Sequence, residues 1–397
     1  MEQRNIYAGI DIGGDAIKIV VLEHVGDEFY NLASSKTPSE GLLRGLINNS
    51  EEGRVNLKER LKSALNSINK ELGFPLTKAI ITIPANESDF FIVDGGDDIL
   101  GIDQIVTDDD IKRLHKNCLS GKISLAEQLV FFKPLSYKLD NKLVQDPIGM
   151  IGNRLFFKGL VATVPKEHLY PFFNLFDQLG IEVVGMNFSL VGDFLTDTEH
   201  DNYLTGIINI GKDIIELGLF NKGILFQSDY IKLGSQNIDK DISLAYNVHS
   251  KEARELKEKF GLALRRKAEI DEERIVETID GGTVSVKQLD LSRLIELRLT
   301  ELLRLSEEKL KKMTNKKINK IIVTGGVTNL KYFSDLVNQI YIKGVKVIEI
   351  KILGLRDNSY SSIIGVVKDF ALKMEKADRN YSMFNQEEIN MLINKEF

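Results

Sequence analysis

Two stretches of this chain, about two hundred residues apart, are versions of one element, and this duplication limits the available folds more than any other feature. Laying Ile10-Asp11-Ile12-Gly13-Gly14-Asp15-Ala16-Ile17-Lys18 on Ile208-Asn209-Ile210-Gly211-Lys212-Asp213-Ile214-Ile215-Glu216 matches Ile, Ile, Gly, Asp and Ile in register. Each copy has a strand rich in β-branched residues, a tight turn at glycine and a second strand, which is the pattern of a β-hairpin. The sequence after each copy also agrees. An amphipathic helix over Val55 to Leu72 leads to a strand over Lys78 to Pro84, and a long helix over Val286 to Met313 leads to a strand over Ile318 to Thr324. Leu291, Ile295, Leu299, Leu302 and Leu303 give the long helix an apolar stripe, and Ser285 with Gln288 has capping-box spacing at its start. The fold class is therefore α/β, with two related lobes and a cleft between them, and clefts are where ligands bind.

Composition narrows the function. With 397 residues, 43% of them hydrophobic, the chain can fill real cores and is not disordered. A net charge of -6 argues against nucleic acid as the main partner, because binding a polyanion relies on clustered Lys and Arg. The basic run Lys316 to Lys320 reads as a solvated helix end. The single cysteine, Cys118, excludes an internal disulfide and suits a reducing compartment. Met1-Glu2-Gln3-Arg4 runs into a strand without a signal-peptide apolar region, and no apolar run nears the roughly 20 residues that span a bilayer, so a cytoplasmic protein is expected.

The hairpins suggest a chemistry. Backbone N–H groups of a glycine turn converge on an anion because no Cβ blocks the approach. Asp11 at a strand end can hold Mg²⁺ through water, and Lys18 on the returning strand adds a point charge for phosphate. With the second copy, these residues make the chain resemble the actin-fold superfamily, which grips nucleotide phosphates between two such hairpins. The resemblance assigns ATP or ADP with Mg²⁺ to Asp11, Gly13, Gly14, Lys18, Asn209, Gly211 and Lys212. Ala253 to Phe260 resembles the helix whose Lys-Glu pair holds the ribose, here Lys257 and Glu258. Ile321 to Val327 resembles the adenosine motif, with Gly325 and Gly326 lying against the nucleoside. Ser361 to Val367 resembles the second connecting helix, whose glycine lets the lobes pack closely.

Within that superfamily the chain is most similar to the FtsA family. Lys36 to Ile47, and above all Asp146-Pro147-Ile148-Gly149-Met150-Ile151-Gly152-Asn153-Arg154-Leu155, resemble family segments. The region between Pro84 and about Thr163, with a helix near Asp108 to Asn117 and strands near Leu129 to Asp140, sits where that family inserts a small subdomain. The resemblance covers roughly residues 5 to 375. It implies an actin-like (ribonuclease H-like) duplicated two-lobe fold with an FtsA-type inserted subdomain. Lobe I is expected over 1–84, 164–195 and 359–382, the inserted subdomain over 85–163, lobe II over 196–235 and 315–358, and its small subdomain over 236–314.

The site departs from the family pattern. Where the family reads Asp-Ile-Gly-Gly-Gly-Thr-Thr-Asp, this chain has Asn209 to Glu216, losing two glycines and the hydroxyls that would bond phosphate. Gly14 stands where the family has Thr or Ser, and Met186 where a Glu-Pro pair orients the attacking water. Positioned water and metal supply most of the catalysis in phosphoryl transfer, so nucleotide binding with slow or absent hydrolysis is expected.

The resemblance further implies an adaptor that tethers filaments of the tubulin-like FtsZ to the inner face of the cell membrane at the division site and self-associates in actin-like fashion. Arg298 and Arg304 are expected to be exposed cations for the FtsZ C-terminal peptide. In the segment 383–397, Ile389, Leu392, Ile393 and Phe397 have helical spacing and suit either a membrane-surface helix or a packed terminal one, although the opposite face is acidic. The alternatives are a sugar-kinase or exopolyphosphatase type of phosphotransferase on the same fold, or another actin-like scaffold such as MreB or a pilus-assembly protein.

Overall fold

The computed structural model describes residues 5–48, 50–197, 203–341, 343–376, 383–384 and 388. The chain forms two compact units, one of residues 1–86 with 174–397 and one of residues 87–173.

The larger unit holds two five-stranded sheets built on one plan. In the first, Asn5–Ile12 pairs antiparallel with Ala16–Val25, which pairs with Glu28–Pro38; on its other side Asn5–Ile12 runs parallel to Lys78–Ile83, and that strand to Glu182–Phe188. In the second, Leu204–Ile210 and Ile215–Asn221 form the hairpin, Ile224–Ile231 extends it, and Lys320–Thr324 and Val345–Val347 add in parallel on the other side. The registers match across the duplication, since Asp11 faces Lys18 in one hairpin and Asn209 faces Glu216 in the other. The strands are near-continuous apolar runs such as Ile19-Val20-Val21-Leu22, which suits sheets covered on both faces.

Helices complete the layers. Glu51–Leu72 packs on the first sheet and begins four residues before the Val55 expected from periodicity, because Ser50 accepts a hydrogen bond from Gly53 N at 3.0 Å and caps it. Helices Gln236–Tyr246, Ser250–Lys259 and Gln288–Lys312, with the hairpin Glu273–Glu277 and Thr283–Lys287, share one core with the second sheet. The stripe Leu291, Ile295, Leu299, Leu302 and Leu303 is fully buried there, as its spacing requires. The capping box does not form, however. Ser285 lies in the hairpin with its hydroxyl on Glu273 at 2.7 Å, and the Gln288 amide donates to the Phe260 carbonyl at 3.0 Å. Lys316 to Lys320 is no helix end either, since Lys320 starts a strand and its ammonium pairs with Asp197.

Two short-range approaches knit the larger unit. The helices Ser189–Thr196 and Ser361–Lys376 cross so closely that a Cβ on Gly365 would overlap the carbonyl oxygen of Gly192. Near the chain's end, Met383 N donates to the Ile6 carbonyl at 3.1 Å, and Phe384 packs edge-on to Phe74 with ring centroids 5.6 Å apart.

The smaller unit is a four-stranded sheet in the order Asp89–Asp98, Arg154–Pro165, Glu127–Leu139, Lys142–Val144. Helix Asp108–Leu119 packs on it, started by a capping box between Thr107 and Asp110. Its core joins Val93, Val106, Leu114, Leu155, Phe157 and Val161. The Asp146 to Leu155 motif is a loop that enters the strand Arg154–Pro165, and in it Asp146 accepts from Ile148 N at 3.1 Å and Gly149 takes a φ of 79°. Cys118 is buried and free. Among the described residues no helix is long and apolar enough to cross a membrane.

Candidate functional site

A cavity of about 540 Å³ opens inside the larger unit between the two hairpin turns, a size typical of small-ligand pockets. Duplication places the turns face to face, so Gly13 and Gly14 line one wall and Gly211 and Lys212 the opposite one. Asp11, Lys18 and Asn209 line its floor, and Lys257, Glu258, Gly325 and Gly326 also line it. All the nucleotide-site positions expected from the sequence therefore meet at one cavity. The backbone dictates Gly325, because its φ is 101° and a Cβ there would collide with the Ile210 carbonyl.

The floor is already paired. The Lys18 ammonium bonds one Asp11 oxygen and also the Ser359 carbonyl at 2.9 Å, and the Thr82 hydroxyl donates to the other Asp11 oxygen. Burial alone would lower the Lys18 pKa, but the charge and hydrogen bond of Asp11 outweigh it and hold the ammonium above its usual value. Asn209 donates to Asp193 at 2.7 Å, and Ser361 and Ser362 donate to the same carboxylate at 2.6 and 2.8 Å. Burial pushes Asp193 up to about 6 against those three bonds. Burial likewise pushes Glu216 up to about 7, although it accepts from Ala85 N and the Ser189 hydroxyl, each at 2.9 Å.

The rim is clasped. Arg254, on the helix Ser250–Lys259, makes two bonds to the Asp15 carboxylate in the first hairpin turn, at 2.6 and 2.7 Å, and a third to Glu258 at 2.9 Å. Burial would raise the Asp15 pKa, but the Arg254 guanidinium overrides it and holds the carboxyl below its usual range. Lys257 is buried and bonds Asp239 at 2.7 Å, and Lys36 bonds Asp357 at 2.7 Å. The two turns nearly touch, since a Cβ on Gly14 would stand 3.1 Å from the Asp213 carboxylate. Burial, with the charge of Asp15, raises the Asp213 pKa.

These contacts decide how well a metal nucleotide fits. The wall formed by Gly325, Gly326, Val327 and Leu330 suits a nucleoside, because it offers backbone and apolar surface. The turn end does not suit a triphosphate with Mg²⁺. Both Asp11 oxygens already accept from Lys18 and Thr82, Asp213 and Asp15 place carboxylates where phosphate charge would gather, and among the described residues no group of three or more His, Cys, Asp and Glu is placed to hold a metal ion directly.

Other expected positions fare variously. Arg298 is not a free cation, because Asp241 holds it through two bonds at 2.5 and 2.9 Å and Glu301 takes a third. Arg304 is exposed. Met186 is a mid-strand residue paired with Ile81 and does not line the cavity. Ile389, Leu392, Ile393 and Phe397 lie outside the described residues. Sequence reasoning missed Asp15, Asp193, Asp213, Glu216 and Arg254. Asp15 and Asp213 carried a signal as the matched aspartate of the repeat, and Glu216 through its place opposite Asn209 in the copied hairpin.

Two sheets on one plan and facing hairpin turns with a cavity between them define an actin-fold protein with a subdomain inserted after its first lobe's parallel strand. Sequence comparison identifies the kind. The family model "Cell division protein FtsA" matches residues 206–365, and the model "SHS2 domain inserted in FTSA" matches residues 89–163. The chain belongs to the FtsA family. It is 25% identical over 375 residues to the cell division protein FtsA of Bacillus subtilis (strain 168), covering 93% of this chain and 84% of that protein. It is 26% identical to the Enterococcus hirae protein of the same name, with 92% and 83% covered. Solved structures agree on the fold. A PilM-PilN type IV pilus biogenesis complex superposes with a TM-score of 0.59 at 15% identity, covering 92% of this chain and 98% of that one. MreB5 of Spiroplasma citri bound to ADP gives 0.52 at 14% identity, with 95% and 99% covered.

Proposed function

We propose that this chain is a cell-division adaptor that binds the FtsZ C-terminal peptide through its small subdomain, attaches to the inner face of the cell membrane through its C-terminal segment and self-associates. The observation that carries the proposal is the pair of family matches, one over lobe II with its small subdomain and one over the insertion. Arg304, exposed on the helix Gln288–Lys312 two turns beyond the exposed Leu297 on the same face, supplies a cation and Leu297 an apolar contact for an acidic peptide, while Arg298 pairs with Asp241 of the helix Gln236–Tyr246. Vesicle sedimentation with purified FtsZ tests this. FtsZ polymers are expected to co-sediment with anionic vesicles only when this chain is present, and Arg304→Glu should cut FtsZ recruitment several-fold with vesicle binding unchanged. FtsZ that stays in the supernatant alongside vesicle-bound chain would exclude the tether.

The cleft, in this reading, is a nucleotide-type pocket with little or no hydrolytic activity. A phosphotransferase on the same frame would need a carboxylate free to take a proton. Asp11 and Glu216 line the cavity, but each spends both oxygens on neighbours, and Asp213, which also lines it, sits in the second turn against Gly14 rather than at a strand end. Turnover of ATP with Mg²⁺ is therefore expected to match the protein-free blank in a phosphate-release assay. Brisk turnover abolished by Asp11→Ala would refute this.

A further inference from the structure

We infer that the cleft takes a nucleoside, or a nucleoside monophosphate, without a metal ion, and discriminates against triphosphates. The inference rests on reading the cleft as a nucleotide-type pocket and specifies what that pocket accepts.

Charge comes first. The lining cations are spoken for, with Lys18 on Asp11, Lys36 on Asp357, Arg254 on Asp15 and Lys257 on Asp239. Lys212 is the lining cation with no ion pair among the described residues, and Asp213 beside it offsets its charge. A triphosphate would bring three to four negative charges to this balanced set. Phosphate oxygens beside the Asp213 carboxylate would meet like charge. Breaking the Arg254–Asp15 pair to recruit its guanidinium would leave Asp15 without a partner.

Space gives the same answer. The approach of Asp213 to Gly14 fills the gap between the turns, where terminal phosphates would have to pass. Elsewhere in the cavity the backbone of Gly325 and Gly326 and the apolar Val327 and Leu330 bound a recess. Glu258 has one carboxylate oxygen on Arg254, which leaves the second to accept from ribose hydroxyls. The recess thus keeps the contacts a base and sugar use, and the turns have exchanged phosphate contacts for internal ion pairs.

Titration calorimetry of the full chain with adenosine, guanosine, AMP and ATP, each with and without Mg²⁺, tests this, alongside the double variant Asp15→Asn/Asp213→Asn. The unchanged chain is expected to bind a nucleoside or AMP at least about tenfold more tightly than ATP, with no gain from Mg²⁺. The double variant should gain about tenfold or more for ATP and stay within about twofold for the nucleoside. If that variant does not fold, the ranking in the unchanged chain decides alone. ATP binding as tightly as the nucleoside, or more tightly with Mg²⁺, overturns the inference while the pocket reading survives. Absence of any heat with all four ligands overturns the pocket reading, and the inference falls with it.

Discussion

Gly365→Ala is expected to destabilise the larger unit by roughly 3 to 5 kcal/mol and to lower its melting temperature by on the order of 10 °C. The methyl group would land on the carbonyl oxygen of Gly192, and Gly192 in turn has no room for one beside the carbonyl of Ser362. Backbone cannot swing aside as a flexible side chain can, so the helices Ser189–Thr196 and Ser361–Lys376 would have to separate. Separation also stretches the bond from the Thr196 hydroxyl to the Ser361 carbonyl, 2.7 Å, and the Ser361 and Ser362 bonds to Asp193. Asp193 is wholly buried, and each lost bond there costs about 1 to 3 kcal/mol. Calorimetric melting measures the effect; a melting temperature within a degree or two of the parent would mean that the crossing is not close.

Glu216→Gln is expected to stabilise the chain increasingly as pH rises. In the folded chain Glu216 keeps its proton up to about 7, whereas the ordinary value is 4.5. Between those values the folded form holds a proton that the unfolded form has released, so stability falls with rising pH, and the full penalty of about 3 kcal/mol is present above pH 7. Glutamine keeps the acceptor for Ala85 N and can donate to the Ser189 hydroxyl, so the site stays satisfied without the charge. The stability difference between variant and parent should therefore grow by about 2 kcal/mol from pH 5 to pH 8. The difference isolates this residue from opposing groups, among them Asp15 and Asp197, whose lowered values withdraw stability only in acid. Urea unfolding at both pH values measures it, and a pH-independent difference would show that Glu216 is ionised in the fold.

The frame of the molecule was legible because it depends on local pattern. The repeated Ile-x-Ile-Gly-x-Asp run marked both hairpins and the Leu291 to Leu303 stripe marked a buried helix face, while the close crossing at Gly365 followed from the resemblance of Ser361 to Val367 to a connecting helix. The chemistry of the cleft was less legible, because its decisive contacts join distant residues. Arg254 meets Asp15 across 239 positions, and nothing in the helix around Arg254 distinguishes it from a solvated arginine. Asp193 looks like one polar residue in a short apolar helix until Ser361 and Ser362 arrive from the far end of the chain. The capping box failed for a similar reason, since the hairpin through Glu273 claimed Ser285 first.

The return of Met383 and Phe384 bears on how shortened versions of this chain behave. Strand Asn5–Ile12 meets Lys78–Ile83 only at Gly9 and Ile10, and the earlier backbone groups at Ile6 and Ala8 are taken up by Met383. A chain cut after Lys376 would bare those groups together with the face of Phe74, leaving a ribbon primed for intermolecular pairing. Clumping of such a fragment would then be easily mistaken for a change in lipid attachment, whereas a cut just beyond Phe384 keeps the ribbon sealed.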